Sequence, residues 1–237
     1  MIPTISTTGL VLAFLPALIV IALMVRWRAG ARTAAYATAR MLGQLLLIGY
    51  VLIYIFESDE PYIIIAVIGV MLAVSSWIAI RQLHDKGRAA YVRAFIAISV
   101  PSILVLALVT SVVIGVEPWF QPRFVVPLAG MIVAGAMNAV GLAAERYQAE
   151  TARSVDQVEA RRAAFQASLI PIIKSLFAVG LVSLPGMMTG QILSGVSPLI
   201  AAKYQIVVMT MLFGVSGSAS GLYLILCAMK KGPRAGP

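Results

Sequence analysis

Residues 62–81 read YIIIAVIGVMLAVSSWIAIR, a run with no charged side chain until Arg81 closes it. An α-helix rises about 1.5 Å per residue, so about 20 apolar residues match the ~30 Å hydrocarbon core of a bilayer. Lipid offers no water to backbone N–H and C=O groups, which leaves a helix as the form such a run can take. Its flanks differ in sign: Glu57, Asp59 and Glu60 precede it, whereas Arg81, Lys86, Arg88 and Arg93 follow it. Basic connections are retained in the cytoplasm. This one span therefore predicts an acidic outer side and a basic inner side.

Outward from it lie six further apolar runs, at 9–25, 41–56, 95–116, 124–144, 172–196 and 205–229. Hydrophobic residues make up 61% of the 237 and charged ones 11%, against roughly 25% charged in a soluble domain. So few charges cannot coat a water-soluble surface. With these spans, every Lys and Arg except Arg123 and Lys203 falls on one side, with Lys174 just inside the sixth run. The expected class is an all-α polytopic integral membrane protein of about seven transmembrane helices. Residues 1–237 read as a single permease-like domain with the amino terminus out and the carboxyl terminus in. The first run reads as a retained span, being long for a signal-peptide core and lacking its basic start. Pro185 and Gly186 lie inside the sixth run and leave open whether it is one helix or two half-helices.

The net charge of +9 and pI near 10.1 are compatible with a nucleic-acid binder. The basic residues, however, sit at the ends of apolar runs, where they meet membrane lipid headgroups instead. Cys227 is the only cysteine and permits no intramolecular disulfide. No Gly-x-x-x-x-Gly-Lys-Ser/Thr loop is present, and the single histidine, His84, has no metal-ligand spacing around it. No catalytic residues are expected. A retinal pump needs a lysine in the last helix and an acidic counter-ion, yet 205–229 has no lysine and 62–80 no acid. The near absence of ionisable groups within the runs also disfavours a proton-coupled carrier. Energy then comes from outside the chain, through an ATPase docking on the basic connections at Arg28, Arg32, Arg81 and Arg88. The long connection 145–168 adds Glu145, Arg146, Glu159, Arg161 and Arg162. Its Ala, Glu and Arg content predicts a cytoplasmic helical excursion, read either as a solvated linker or as the docking surface. The outer acids Glu57, Asp59, Glu60 and Glu117 read either as a cation-attracting mouth or as the ordinary non-cytoplasmic side.

The segment 182–195, VSLPGMMTGQILSG, and the following Lys203-Tyr204-Gln205-Ile206-Val207-Val208-Met209 resemble the FetB (YbbM) family of ABC-type permeases. That family includes bacterial iron exporters and plant aluminium-tolerance proteins. Arg40 with Gln44-Leu45, Gly49 and Phe56, and residues 131–142 with Asn138, fit the same resemblance. It implies a bacterial inner-membrane permease subunit, present as a homodimer with a separate ABC ATPase that carries the ATP–Mg, this chain binding no cofactor. The implied cargo is a metal ion such as iron, exported or tolerated. Many relatives carry a Leu-Gly-Ala-Thr segment in the long connection. Here Glu159-Ala160-Arg161-Arg162-Ala163-Ala164-Phe165 runs directly towards Leu169-Ile170-Pro171, implying a shorter or differently shaped docking helix.

Within the spans, a helix interrupted at Pro185-Gly186 frees backbone carbonyls. With Met187, Met188, Gln191 and Asn138 these form a candidate substrate pathway, thioether sulfur favouring soft cations. The identity of the metal is not legible. Gap-filling by the methionines is the other reading. Gly186-x-x-x-Gly190 and Gly217-x-x-x-Gly221 have the spacing of close helix packing. An adaptor or assembly protein, binding a cytoplasmic partner without moving a solute, is the alternative function.

Overall fold

The computed structural model describes residues 6–57, 60–83 and 86–229. Asp59, His84, Lys230, Lys231 and Arg234 lie outside the described residues. The chain divides into two compact units, residues 1–58 and 59–237.

In the first unit, α1 (Thr7–Leu12) and α2 (Leu15–Arg26) follow one another as an apolar stretch, and α3 (Ala31–Phe56) packs back on α2. Ser6 opens α1, its hydroxyl accepting the Gly9 N–H at 3.1 Å. Arg28 and Gly30, with φ of 55° and 74°, make the turn between α2 and α3. Gly30 takes that left-handed conformation without steric cost. α3 begins ten residues before the apolar run predicted at 41–56 because 31–40 is rich in alanine, the best helix former.

The second unit contains α4 (Pro61–Ala79), α5 (Arg88–Ala107), α6 (Pro122–Ala152), α7 (Gln157–Ala178), α8 (Gly186–Leu193) and α9 (Pro198–Met229). Proline stands at the start of α4 and α6, where its missing N–H costs nothing. α5 contains Pro101 and continues as a π-helical stretch, Leu108–Ile114, ending at Gly115 with φ 68°. α6 is the hub, packing against α4, α5, α7 and α9. Its buried face is built of small residues: Ala136, Ala143 and Ala144 share the core with Ala90, Ala94 and Ala97 of α5 and Ala219 of α9, and Ala129 and Ala139 are buried too. Such faces let helix backbones approach where lipid supplies no hydrophobic drive. The closest approaches fall at two glycines of α6. A Cβ on Gly135 would lie 3.1 Å from the Leu212 side chain, and one on Gly141 would lie 3.3 Å from the Ala79 carbonyl oxygen. The two spaced glycine pairs read from sequence are looser. Nothing lies within 4 Å of a Cβ at Gly186 or Gly190, while Gly217 and Gly221 meet Leu169 and Phe165 at ordinary van der Waals distance.

Among the described residues, six helical segments are long and apolar enough to cross a membrane: Thr7–Arg26, Ala31–Phe56, Pro61–Ala79, Arg88–Ile114, Pro122–Ala152 and Pro198–Met229. The protein is therefore a nearly all-helical multi-pass membrane protein. The run 172–196 differs, being interrupted. α7 ends at Ala178, Gly180 adopts φ 83°, and the Ala178 carbonyl accepts N–H groups from Leu181, Val182 and Ser183. This is how helices commonly stop: a glycine in the left-handed region past the last turn, orphan carbonyls satisfied locally. Pro185 then sits at the N-cap of α8. The interruption thus begins at Gly180, and Pro185-Gly186 starts a second helix. The excursion 145–168 is also not an independent element. Its first part is the end of α6, its second the start of α7, and Arg153–Asp156 turns between them, with Ser154 at φ 59°. No helix breaker separates Ala144 from Glu145, so α6 runs on past its apolar portion.

Candidate functional site

Asn138 is placed by α6, fourteen residues beyond Phe124, or ~21 Å along a helix that crosses a ~30 Å core. Its amide is exposed on the single chain and opens onto a groove of about 300 Å³ between α6, α7 and α9. Met131, Gly135, Ser168, Ser175 and Ser216 line the same groove. The Ser168 hydroxyl donates to the Phe165 carbonyl (2.7 Å) and the Ser175 hydroxyl to that of Pro171 (3.0 Å), leaving their oxygens free to accept. No lining residue is ionisable. On its other side Asn138 borders a smaller pocket of about 190 Å³ with Gln82, Gly141 and Glu145, between α4 and α6. Neutral oxygens along an apolar wall can replace part of a cation's hydration shell without holding it tightly. Among the described residues, no cluster of three His, Cys, Asp or Glu side chains could hold a metal ion.

The other predicted pathway residues lie elsewhere. Pro185, Gly186, Met187, Met188 and Gln191 belong to the start and body of α8, which packs on α9, and none lines the Asn138 groove. Met187 packs against the core. The Pro185 carbonyl is already engaged, accepting the Thr189 N–H at 3.0 Å and the Thr189 hydroxyl at 3.1 Å. Gln191 is half-buried with its Oε1 enclosed and unpaired. Of the family-motif residues, Arg40 and Gln44 lie on α3 in the first unit. Lys203, Tyr204 and Gln205 occupy the second turn of α9. Gln205 is buried with its Oε1 unpaired, a feature its position in an otherwise apolar run could have flagged. The groove serines were not singled out because an isolated serine in a span has no periodic signal.

The basic connections resolve into two groups. Arg28 and Arg32 border the α2–α3 turn of the first unit. In the second, Arg81 follows α4 and stacks over Trp77 at 5.8 Å, and Arg88 opens α5. Glu145 and Arg146 lie on the extension of α6, where Arg146 pairs with Glu150 at 2.6 Å. Glu159, Arg161 and Arg162 lie on the first turns of α7. Asp156 caps that helix, its Oδ2 accepting the Val158 N–H at 2.9 Å, and Glu159 complements the helix dipole. Asp156, Glu159 and Arg162 border an open pocket at the tip of the α6–α7 hairpin.

The chain matches the uncharacterised protein family UPF0014 over residues 7–161 and 159–231, two segments that meet where α7 begins. It is 34% identical to the protein ALUMINUM SENSITIVE 3 of Arabidopsis thaliana, covering 81% of this chain and 74% of that one. With the probable iron export permease protein FetB of Escherichia coli it shares 33% identity over 76% and 74% of the two chains. The UPF0014 membrane protein slr1647 of Synechocystis is 32% identical over 73% of each. No solved structure matches. A family match from α1 to the end of α9, with relatives that align over three quarters of their length, places this chain in the UPF0014 family of membrane proteins.

Proposed function

We propose that this chain is the membrane-spanning permease subunit of an ATP-driven, ABC-type transporter that exports metal ions such as iron. It works as a homodimer with a separate ATPase, which binds ATP–Mg on the cytoplasmic face of a bacterial inner membrane. The observation that carries this reading is the α6–α7 hairpin: both helices that wall the Asn138 groove continue into its charged tip. Eight residues of uninterrupted helix, ~12 Å, separate Asn138 from Arg146. A force on Arg146, Arg161 and Arg162 is thereby delivered to the groove by rigid elements, the lever that alternating access needs. Arg81, Arg88, Glu145 and Glu159 extend the coupling surface within the second unit, and Arg28 and Arg32 offer docking charges on the first, all on the side that the positive-inside rule makes cytoplasmic. The similarity to a probable iron export permease supports the cargo. In the groove the ion meets Asn138 and serine oxygens, and Met187, Met188 and Gln191 contribute only if α8 moves towards it.

The test is co-reconstitution of the chain with its ATPase in vesicles, followed by ATP-dependent flux of a panel of metals. Flux that falls on Asn138→Ala, and copurification of the ATPase that falls on Arg161→Glu with Arg162→Glu, are the expected results. Stable association without flux of any metal overturns the transporter reading in favour of an adaptor. Unchanged copurification of the charge-reversed chain removes the hairpin as the coupling surface. Full flux after Met187→Leu with Met188→Leu excludes thioether ligation by α8.

A further inference from the structure

The first two turns of α5 and the last turns of α9 border a shallow groove of about 660 Å³, of whose lining the transport reading uses only Arg88. It is lined by Arg88, Ala89, Val92, Arg93, Leu226 and Met229. Arg88 and Val92, and Ala89 and Arg93, are i,i+4 pairs, so two guanidinium groups and an apolar strip share one helix face. The position is the boundary of the hydrocarbon. Arg93 lies two residues before the apolar run that starts at Phe95, Met229 ends α9, and the stacked Tyr91–Phe95 pair, at 6.2 Å between centroids, stands beside it.

Three features call for an anion there. Among the described residues no carboxylate pairs with Arg88 or Arg93, and Glu150, a nearby acid in sequence to Tyr147, is held by Arg146. Arg93 is half-buried with its Nε enclosed and without an acceptor. The positive end of the dipole of the twenty-residue α5 adds to both arginines. The floor of the groove, by contrast, is aliphatic. We propose that this groove is a binding site for an anionic phospholipid, its phosphate held by Arg88, Arg93 and the start of α5, and an acyl chain laid along Val92, Leu226 and Met229. Arginine suits the task because its planar fork engages phosphate oxygens in pairs. The site requires only that the chain spans a bilayer, not that it transports metal.

The test is native mass spectrometry of the full-length chain in detergent, titrated with phosphatidylglycerol or cardiolipin and, separately, with phosphatidylcholine. Retention of the anionic lipids over phosphatidylcholine is expected. Removal of each arginine lowers affinity roughly fivefold, and Arg88→Ala with Arg93→Ala together roughly thirtyfold. Arg123→Ala, a basic residue in a different connection, leaves retention unchanged. Val92→Glu, at an exposed position, places a negative charge in the groove without emptying it and should also expel the lipid. Equal retention by wild type and the folded variants, or equal retention of phosphatidylcholine, overturns the site. Full competition by inorganic phosphate at the same concentration overturns the lipid assignment, because the apolar floor then contributes nothing.

Discussion

α6 and the 172–196 run are both apolar, both contain proline, and both were expected to cross the membrane, yet one is a thirty-one-residue helix and the other is broken. Pro127 sits inside α6, Pro101 inside α5 and Pro171 inside α7, and all three helices continue through them. Proline alone therefore does not interrupt a span here. What separates the two regions is packing. α6 has thirteen buried positions and packs against four helices, whereas α8 has no buried residue and packs chiefly on α9. Beyond Ser168, the end of α7 likewise contributes no fully buried side chain. Where tertiary contacts are dense, the loss of one backbone hydrogen bond is tolerated. Where they are sparse, a glycine able to adopt φ 83° is enough to end the helix.

This contrast can be broken most severely in α6. Ala136→Pro, at a fully buried position in the hub, should cost about 3 kcal/mol or more and abolish recovery of folded protein in detergent. Recovery of stable protein would mean that α6 is not the organising element. Gly141→Leu comes next, forcing a side chain against the Ala79 carbonyl at about 1–3 kcal/mol. Gly186→Leu, with open space around it, should leave the thermal unfolding midpoint nearly unchanged. A reversal of that order would relocate the close helix contacts to the glycine pair of α8. Gly180→Val should cost about 1–2 kcal/mol, because a β-branched residue resists the left-handed region. Pro185→Ala should cost less than Gly180→Val, under about 1 kcal/mol. Spin labels at Ile173 and Gly190 should report the same separation before and after that substitution. Lengthening towards the ~26 Å of a continuous helix would transfer the break from Gly180 to Pro185.

Much of the fold was legible because lipid imposes a length on every apolar run, and the runs at 9–25, 41–56, 62–80, 95–116, 124–144 and 205–229 each fall, to within two residues at their ends, inside a helical segment that can cross. The helical character of 145–168 was equally legible from its Ala, Glu and Arg content. Its division between α6 and α7 was not, because no breaker marks the turn and Ser154 supplies the positive φ without a glycine. For the site, Asn138 came from the family resemblance, but Ser168, Ser175 and Ser216 come from two other helices with no shared motif. The segment that most resembled the family, VSLPGMMTGQILSG, directed attention to α8, which the fold sets apart from the Asn138 groove.

Composition and charge order by themselves determined that this is a multi-pass helical membrane protein, since hydrocarbon admits no other form for apolar runs of that length. Only the tertiary structure decided which runs stay whole and which glycines bring backbones together. It also decided which polar groups meet around Asn138. Those outcomes depend on neighbours distant in sequence, whose small side chains and stacking order no local periodicity records.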